Sequence, residues 1–284
     1  MTADADAQSD AATSAVDASV VTFLMVGCQR CGSTWVDAAL RDHPEIYLPA
    51  QKQSYFFDQH YDRGIDWYLD RFRDVTSAHR AVGEIATGYS LPHAVPMMAE
   101  HFPDAKLIMA MRHPIERAYS NFRTRRAEQG WSSFEDALEQ SPDLLERGAY
   151  IDQIEHLLEH YPRDRMLFLL YDDLDRDDRA YLRRILEFLE VDPDIDSRQI
   201  GQRKNAAAYP RLRRVLHRAG LKPALRALSK SPVGDMIRRR NKKTGGVAAP
   251  SIDPATRTRL VDHFRPLNDR LGTFLDRDLA AWNQ

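Results

Sequence analysis

The sequence predicts an α/β fold: a P-loop-like parallel central sheet flanked by helices on both faces. Three observations predict it. Strand-sized apolar runs alternate with helix-patterned segments over residues 20–190, the order that a parallel sheet with crossover helices produces. Residues 166–171 are continuously apolar, as in a strand buried on both faces. The first apolar run ends at Gly27 in a glycine-containing turn that opens a helix, the arrangement that aims backbone N–H groups at an anion.

In order, residues 20–26 read as a strand, and residues 34–41 as a helix that stops before His43-Pro44. Residues 46–48 form a short extended piece, followed by a polar and aromatic stretch over 52–58 and a helix over 65–72. Then come a strand over 81–85, a helix over 95–101 and a strand over 106–111 closed by His113-Pro114. Pro114 stands just before the first turn of a helix over 115–129, where a missing N–H costs little. Helices over 134–140 and 150–160, the strand over 166–171 and a helix over 181–189 complete this part. Helices over 254–264 and 267–275 lead to Trp282.

Residues 1–19, rich in Ala, Asp, Ser and Thr, are expected to be a disordered tail, and 20–284 one domain. Within it, residues 211–243 carry twelve Lys or Arg against one acidic residue, Asp235. Near-helical apolar spacing there suggests cationic amphipathic helices, either a lid or acceptor contact or simply a solvated face.

Hydrophobic residues make up 43% of the chain and charged residues 29%, the balance of a globular enzyme. A net charge of −2 gives no global attraction for nucleic acid. No apolar run approaches the ~18 residues of a transmembrane helix, and the start lacks a secretory pattern, so a cytoplasmic protein is expected. Two cysteines, Cys28 and Cys31, are too few for a disulfide scaffold or a four-cysteine zinc site. Their C-x-x-C spacing keeps a redox site in view.

Gly27-Cys-Gln-Arg-Cys-Gly32-Ser33-Thr34 has the glycine spacing of a nucleotide P-loop, with Ser33 where the lysine belongs. The loop should hold a phosphate, and the missing lysine argues against a γ-phosphate. Arg112, leaving a strand end, and Ser120, about two turns into the next helix, can converge on a second anion. Asp172 and Asp173, after the last strand, offer the carboxylate that a Mg²⁺-dependent phosphotransferase would need, which keeps that class as the alternative.

With these loops in place, the chain resembles the 3′-phosphoadenylylsulfate-dependent sulfotransferases, especially bacterial members and the domains that modify heparan sulfate. Gln29-Arg30-Cys31-Gly32-Ser33-Thr34-Trp35 matches the family's 5′-phosphosulfate loop, and Arg112 with Ser120 its 3′-phosphate motif. His43-Pro44, the Lys52–Phe57 stretch, Gly64-Ile-Asp-Trp-Tyr68, Gly83-Glu84-x-x-x-x-Tyr89 and Leu169-Leu-Tyr-Asp-Asp-Leu174 follow the family's order. Lys242, Lys243, Thr244, Gly245 and Gly246 resemble its nucleotide-closing loop. The resemblance implies 3′-phosphoadenosine-5′-phosphosulfate (PAPS) as sulfuryl donor, no metal, and a small-molecule, saccharide or lipid acceptor sulfated on oxygen or nitrogen.

It also implies that Arg30, Lys52, the amides near Gly32 and Ser33, and the Thr34 hydroxyl hold the charge growing on the 5′-phosphate. Trp35 either flanks adenine or belongs to the core. Two departures stand out. Arg30 replaces the lysine the family often has, and Gln53 occupies the position of a glutamate base in heparan-type members. An amide cannot accept a proton as a carboxylate does, so a catalytically weak nucleotide-binding homologue is a second alternative. Glu84, at a strand end, is then the candidate base, or else it orients Lys52 or Arg30; His60 and His43 are weaker candidates.

Overall fold

A computed structural model describes residues 16–201 and 251–284. The expectations for the N-terminal tail up to residue 15, for the cationic segment 211–243 and for Lys242, Lys243, Thr244, Gly245 and Gly246 lie outside the described residues.

Among the described residues, five parallel strands make one sheet: β1 (Phe23–Gly27), β2 (Ile46–Tyr47), β3 (Ala81–Ile85), β4 (Lys106–Met111) and β5 (Met166–Leu170). Their spatial order is β2-β3-β1-β4-β5, flanked by helices. The predicted fold class is the observed one. β1 pairs with β3 on one side and β4 on the other. The chain leaves β1 towards β2 and leaves β4 towards β5, so the connection direction reverses between β1 and β4. At such a switch point, outside the carboxyl ends of the strands, open α/β sheets bind ligands. The glycine loop leaves β1 there, and Arg112 follows β4.

β1 and β3 are buried along their whole length, which explains why their sequences show no polar alternation. α1 (Ser33–Leu40) starts directly after Gly32, whose φ of +93° suits glycine and few other residues. α2 (Phe56–Gln59) is a single turn fastened by Phe56 and Phe57, both essentially inaccessible to solvent. Phe57 meets Tyr89 edge-on at 5.1 Å, and Phe56 stacks on Tyr68 at 5.0 Å. This aromatic packing fixes the segment that carries Lys52, Gln53 and Asp58 against the sheet.

α3 (Ile65–Leu69), α4 (Val95–His101), α5 (Pro114–Gln129), α6 (Phe134–Gln140), α7 (Asp143–Glu146) and α8 (Tyr150–Leu158) follow. α9 (Tyr171–Arg176) begins immediately after β5, and α10 (Asp178–Phe188) succeeds it. Several boundaries differ from the sequence reading, among them these three. Val20 lies in a short 3₁₀ turn, and β1 starts at Phe23. The helix expected from 181 starts at Asp178, where the Asp177 side chain caps the Ala180 N–H. The two C-terminal helices are one, α11 (Pro254–Leu275), running through Pro266. A proline inside a helix costs ~3 kcal/mol, and here buried Leu260, Val261 and Phe264 on one side and Leu271 on the other offset it. Among the described residues no helix is long and apolar enough to cross a membrane.

Candidate active site

The loop after β1 closes with the Cys31 N–H donating to the Cys28 carbonyl at 3.3 Å, and the helical ladder of α1 begins at Trp35 N–H to Gly32 O, 2.8 Å. The Ser33 and Thr34 amides precede that first helical bond, and their donors sit at the positive end of α1. Gly32 is required twice over: by its positive φ, and because a Cβ there would lie 2.9 Å from Leu174 Cδ2 and 3.3 Å from the Tyr171 ring.

Lys52 comes to this loop from the segment before α2. Its Nζ donates to Ser33 Oγ at 3.1 Å and Thr34 Oγ1 at 3.4 Å. Burial lowers its ammonium pKa to about 8, so the free site holds this charge at a desolvation cost. Arg30 adopts a left-handed φ of 72° and donates from Nε to Ser120 Oγ on α5, 3.1 Å away. Burial, and then the neighbouring Arg112, hold the Arg30 guanidinium below its usual pKa. Arg112 lies over the Tyr171 ring at 4.8 Å, and its backbone is clamped by the Tyr150 hydroxyl, which donates to Arg112 O at 2.7 Å. Gln29 Oε1 accepts from Asn121 Nδ2 at 2.8 Å, a second tie from the loop to α5.

The loop and the β4–α5 motif thus meet through Arg30 and Ser120. Among the described residues, Arg30, Lys52 and Arg112 have no carboxylate in ion-pair contact. Three cations without an ion-paired carboxylate among the described residues, beside the helix-start amides, suit a ligand with more than one anionic group.

Comparison with known proteins agrees with this arrangement. The sulfotransferase domain family matches residues 22–205, well over half of the chain. The chain belongs to the sulfotransferase domain family. Human heparan sulfate glucosamine 3-O-sulfotransferase 3B1 is 24% identical over 255 residues, covering 86% of this chain and 60% of that relative. The Dictyostelium discoideum membrane-associated sulfotransferase kil1 is 32% identical over 103 residues, 35% of this chain and 22% of that protein. The chain therefore spans less than two thirds of the length of either relative. A crystal structure of a sulfotransferase from Alicyclobacillus acidocaldarius superposes with a TM-score of 0.68 at 23% identity, over 93% of this chain and 99% of that one. That likeness is one of fold.

In this sulfotransferase-family chain, Glu84 stands apart from the cations. It is 1% exposed in β3, and its Oε1 accepts the Ser54 N–H while Oε2 accepts the Tyr89 hydroxyl at 3.1 Å. Tyr89 OH also shares a hydrogen bond with Ser54 Oγ at 2.9 Å and accepts the Phe56 N–H at 3.0 Å. Burial raises the Glu84 pKa against these bonds. Glu84 fastens the backbone between Lys52 and α2, and it contacts neither Lys52 nor Arg30 through a hydrogen bond or ion pair. Trp35 is 7% exposed, donates from Nε1 to Gln199 O at 3.1 Å and packs edge-on against Tyr181 at 6.1 Å. His43 is buried in a turn and shares a hydrogen bond of 2.9 Å with the Asp192 carbonyl.

A cavity of about 200 Å³ opens beside the loop, lined by Gln29, Gln53, Asp58, Thr87, Arg125 and Arg147 among others. Sequence reasoning passed over Asp58, Arg125 and Arg147; the one available signal was that Asp58 directly follows the Phe56-Phe57 pair. The strand-end pair is occupied elsewhere. Asp173 binds Arg277 at 2.9 and 3.1 Å, and Asp172 accepts the Trp282 indole N–H at 3.0 Å. Cys28 and Cys31 are both free thiols buried in the core, and burial raises the Cys28 pKa.

Proposed function

We propose that this chain moves the sulfuryl group of PAPS to a hydroxyl or amine of a small-molecule, saccharide or lipid acceptor by in-line displacement. The observation that carries the reading is the convergence of Arg30, Lys52 and Arg112 on the glycine loop, without carboxylate partners among the described residues, in a chain of the sulfotransferase domain family. Such a set suits a donor with separate 5′ and 3′ anionic groups. Lys52, the Ser33 and Thr34 amides and the Thr34 hydroxyl face the 5′ side, and Arg112 with Ser120 the 3′ side, with Arg30 between them.

Sulfuryl transfer asks little covalent work of a protein, so alignment and charge stabilisation supply most of the rate. As the sulfur–oxygen bond breaks, charge grows on the departing phosphate, and Lys52 and Arg30 are the groups to hold it. The reading requires no metal ion. A saccharide acceptor is favoured by the similarity to the human relative, a heparan sulfate glucosamine 3-O-sulfotransferase. The rival Mg²⁺-dependent phosphotransferase would need a strand-end carboxylate free for the cation, and Asp172 and Asp173 are engaged by Trp282 and Arg277.

The test is turnover of ³⁵S-labelled PAPS in EDTA, followed as 3′,5′-ADP release and as label transferred to hydroxyl and amine acceptors, saccharides first. Release and transfer in EDTA are expected. Binding of 3′,5′-ADP without any release would leave a nucleotide-binding protein in place of an enzyme.

A further inference from the structure

We infer that Asp58 is the carboxylate that takes the acceptor's proton in this chain, standing in for the base that the amide Gln53 cannot be. The inference rests on the sulfotransferase reading and adds a residue to it. Asp58 and Gln53 line the same cavity, and Gln29 of the glycine loop forms part of its wall, so the cavity adjoins the anion site. Its volume of about 200 Å³ far exceeds the ~15 Å³ that one water needs, which leaves room for an acceptor group.

Among the described residues two carboxylates line this cavity, Asp58 and Asp143. Asp143 is committed to cations: its Oδ2 lies 3.2 Å from Arg147 Nε and 3.8 Å from Arg125 Nη1. Asp58 makes no ion pair among the described residues, and Arg147 and His93 act on it only through their charge. Among the described residues its buried Oδ1 has no hydrogen-bond partner, a costly state for a carboxylate that a ligand's O–H or N–H would relieve. The carboxylate lies directly on the backbone of Gly88, where an added Cβ would come within 2.0 Å of Oδ2. Its helical turn is fixed by Phe56 and Phe57 beneath, so the group is held in place. Burial raises its proton affinity, opposed by Arg147 and His93, and a more basic carboxylate is the better proton acceptor.

Glu84, the other carboxylate of this neighbourhood, has both oxygens occupied and does not line the cavity. In the reaction the acceptor oxygen or nitrogen bonds to sulfur, and the sulfur–oxygen bond to the 5′-phosphate breaks. That electron pair stays on the phosphate, giving 3′,5′-ADP. The acceptor's proton passes to Asp58, which returns it to solvent. Gln53 can donate to the same acceptor atom and orient it.

The experiment uses the full chain with PAPS and water as the probe acceptor, reading 3′,5′-ADP release, alongside calorimetric affinity for 3′,5′-ADP and Tm. Asp58→Asn is expected to slow release by ~10²–10⁴-fold, the usual worth of a general base, while 3′,5′-ADP affinity stays within about threefold. Release within fivefold of the parent chain overturns the inference, as does a loss of rate matched by a loss of nucleotide affinity. If Asp58→Asn lowers Tm enough to unfold the chain, Gly88→Ala displaces the same carboxylate. It should cut release at least tenfold with 3′,5′-ADP affinity retained, and unchanged release would overturn the inference. No release from the parent chain with water or with any of the hydroxyl and amine acceptors of the preceding test would instead refute the sulfotransferase reading itself.

Discussion

The Arg30 side chain crosses from the loop after β1 to the Ser120 hydroxyl on α5, with Nε 3.1 Å from Oγ, so one hydrogen bond joins the two anion motifs. If Ser120 serves a 3′-phosphate, Ser120→Ala should weaken 3′,5′-ADP binding by about 10–100-fold, the worth of a hydrogen bond to a charged group. AMP, which lacks that phosphate, should lose little. Equal losses for the two ligands in calorimetry would contradict this placement.

Lys52 gives a pH dependence. Its ammonium pKa lies at about 8 in the free protein, against ~10.4 unperturbed. It is charged below that value and loses its charge as pH rises through it, so anion affinity should fall between roughly pH 8 and 10. Sulfate or 3′,5′-ADP titrated across this range should show the decline. Lys52→Arg, charged throughout, should abolish it, and an unchanged decline would assign the titration to another group.

Glu84 is expected to act as a support. Glu84→Ala leaves the Ser54 amide without its acceptor and removes one of the Tyr89 hydroxyl's three hydrogen bonds, which costs about 1–3 kcal/mol and should lower Tm by roughly 2–12 °C. Because burial raises its folded pKa, its contribution to stability is fully present below the unfolded value of ~4.3 and is lost as pH rises through the folded value. Glu84→Gln should flatten that slope and leave the rate within about tenfold. A larger rate loss with 3′,5′-ADP affinity intact would place the base at Glu84.

Gly32→Ala should lose 3′,5′-ADP affinity at least tenfold, because alanine would have to adopt a φ of +93° with its Cβ 2.9 Å from Leu174 Cδ2. Calorimetry together with Tm separates loop distortion from unfolding; full affinity in a folded variant would contradict the described loop.

Much of this was legible in the sequence because it is local. The strands over 81–85 and 106–111 and the helices over 95–101 and 134–140 match their observed bounds, since apolar runs and prolines mark them directly. Cys28-x-x-Cys31 was legible as spacing, but only packing shows both thiols buried. The helices read over 254–264 and 267–275 are one, since tertiary burial on both sides of Pro266 outweighs its local cost. Glu84 sits at a strand end as expected, yet its contacts with Ser54 and Tyr89 depend on how the segment before α2 folds back onto β3. Asp58 carries no spacing signal on a one-turn helix, and its role emerges only from the cavity it shares with Gln53.

The central claim, a donor site for PAPS, is tested most directly by titration calorimetry of the full chain in EDTA against 3′,5′-ADP and AMP, and with Mg²⁺ against ATP. Arg30, Lys52, Arg112 and Ser120 predict that 3′,5′-ADP binds without metal and more tightly than AMP by at least tenfold, with Mg·ATP weaker than 3′,5′-ADP. Preference for Mg·ATP, or equal affinity for AMP and 3′,5′-ADP, would contradict the account.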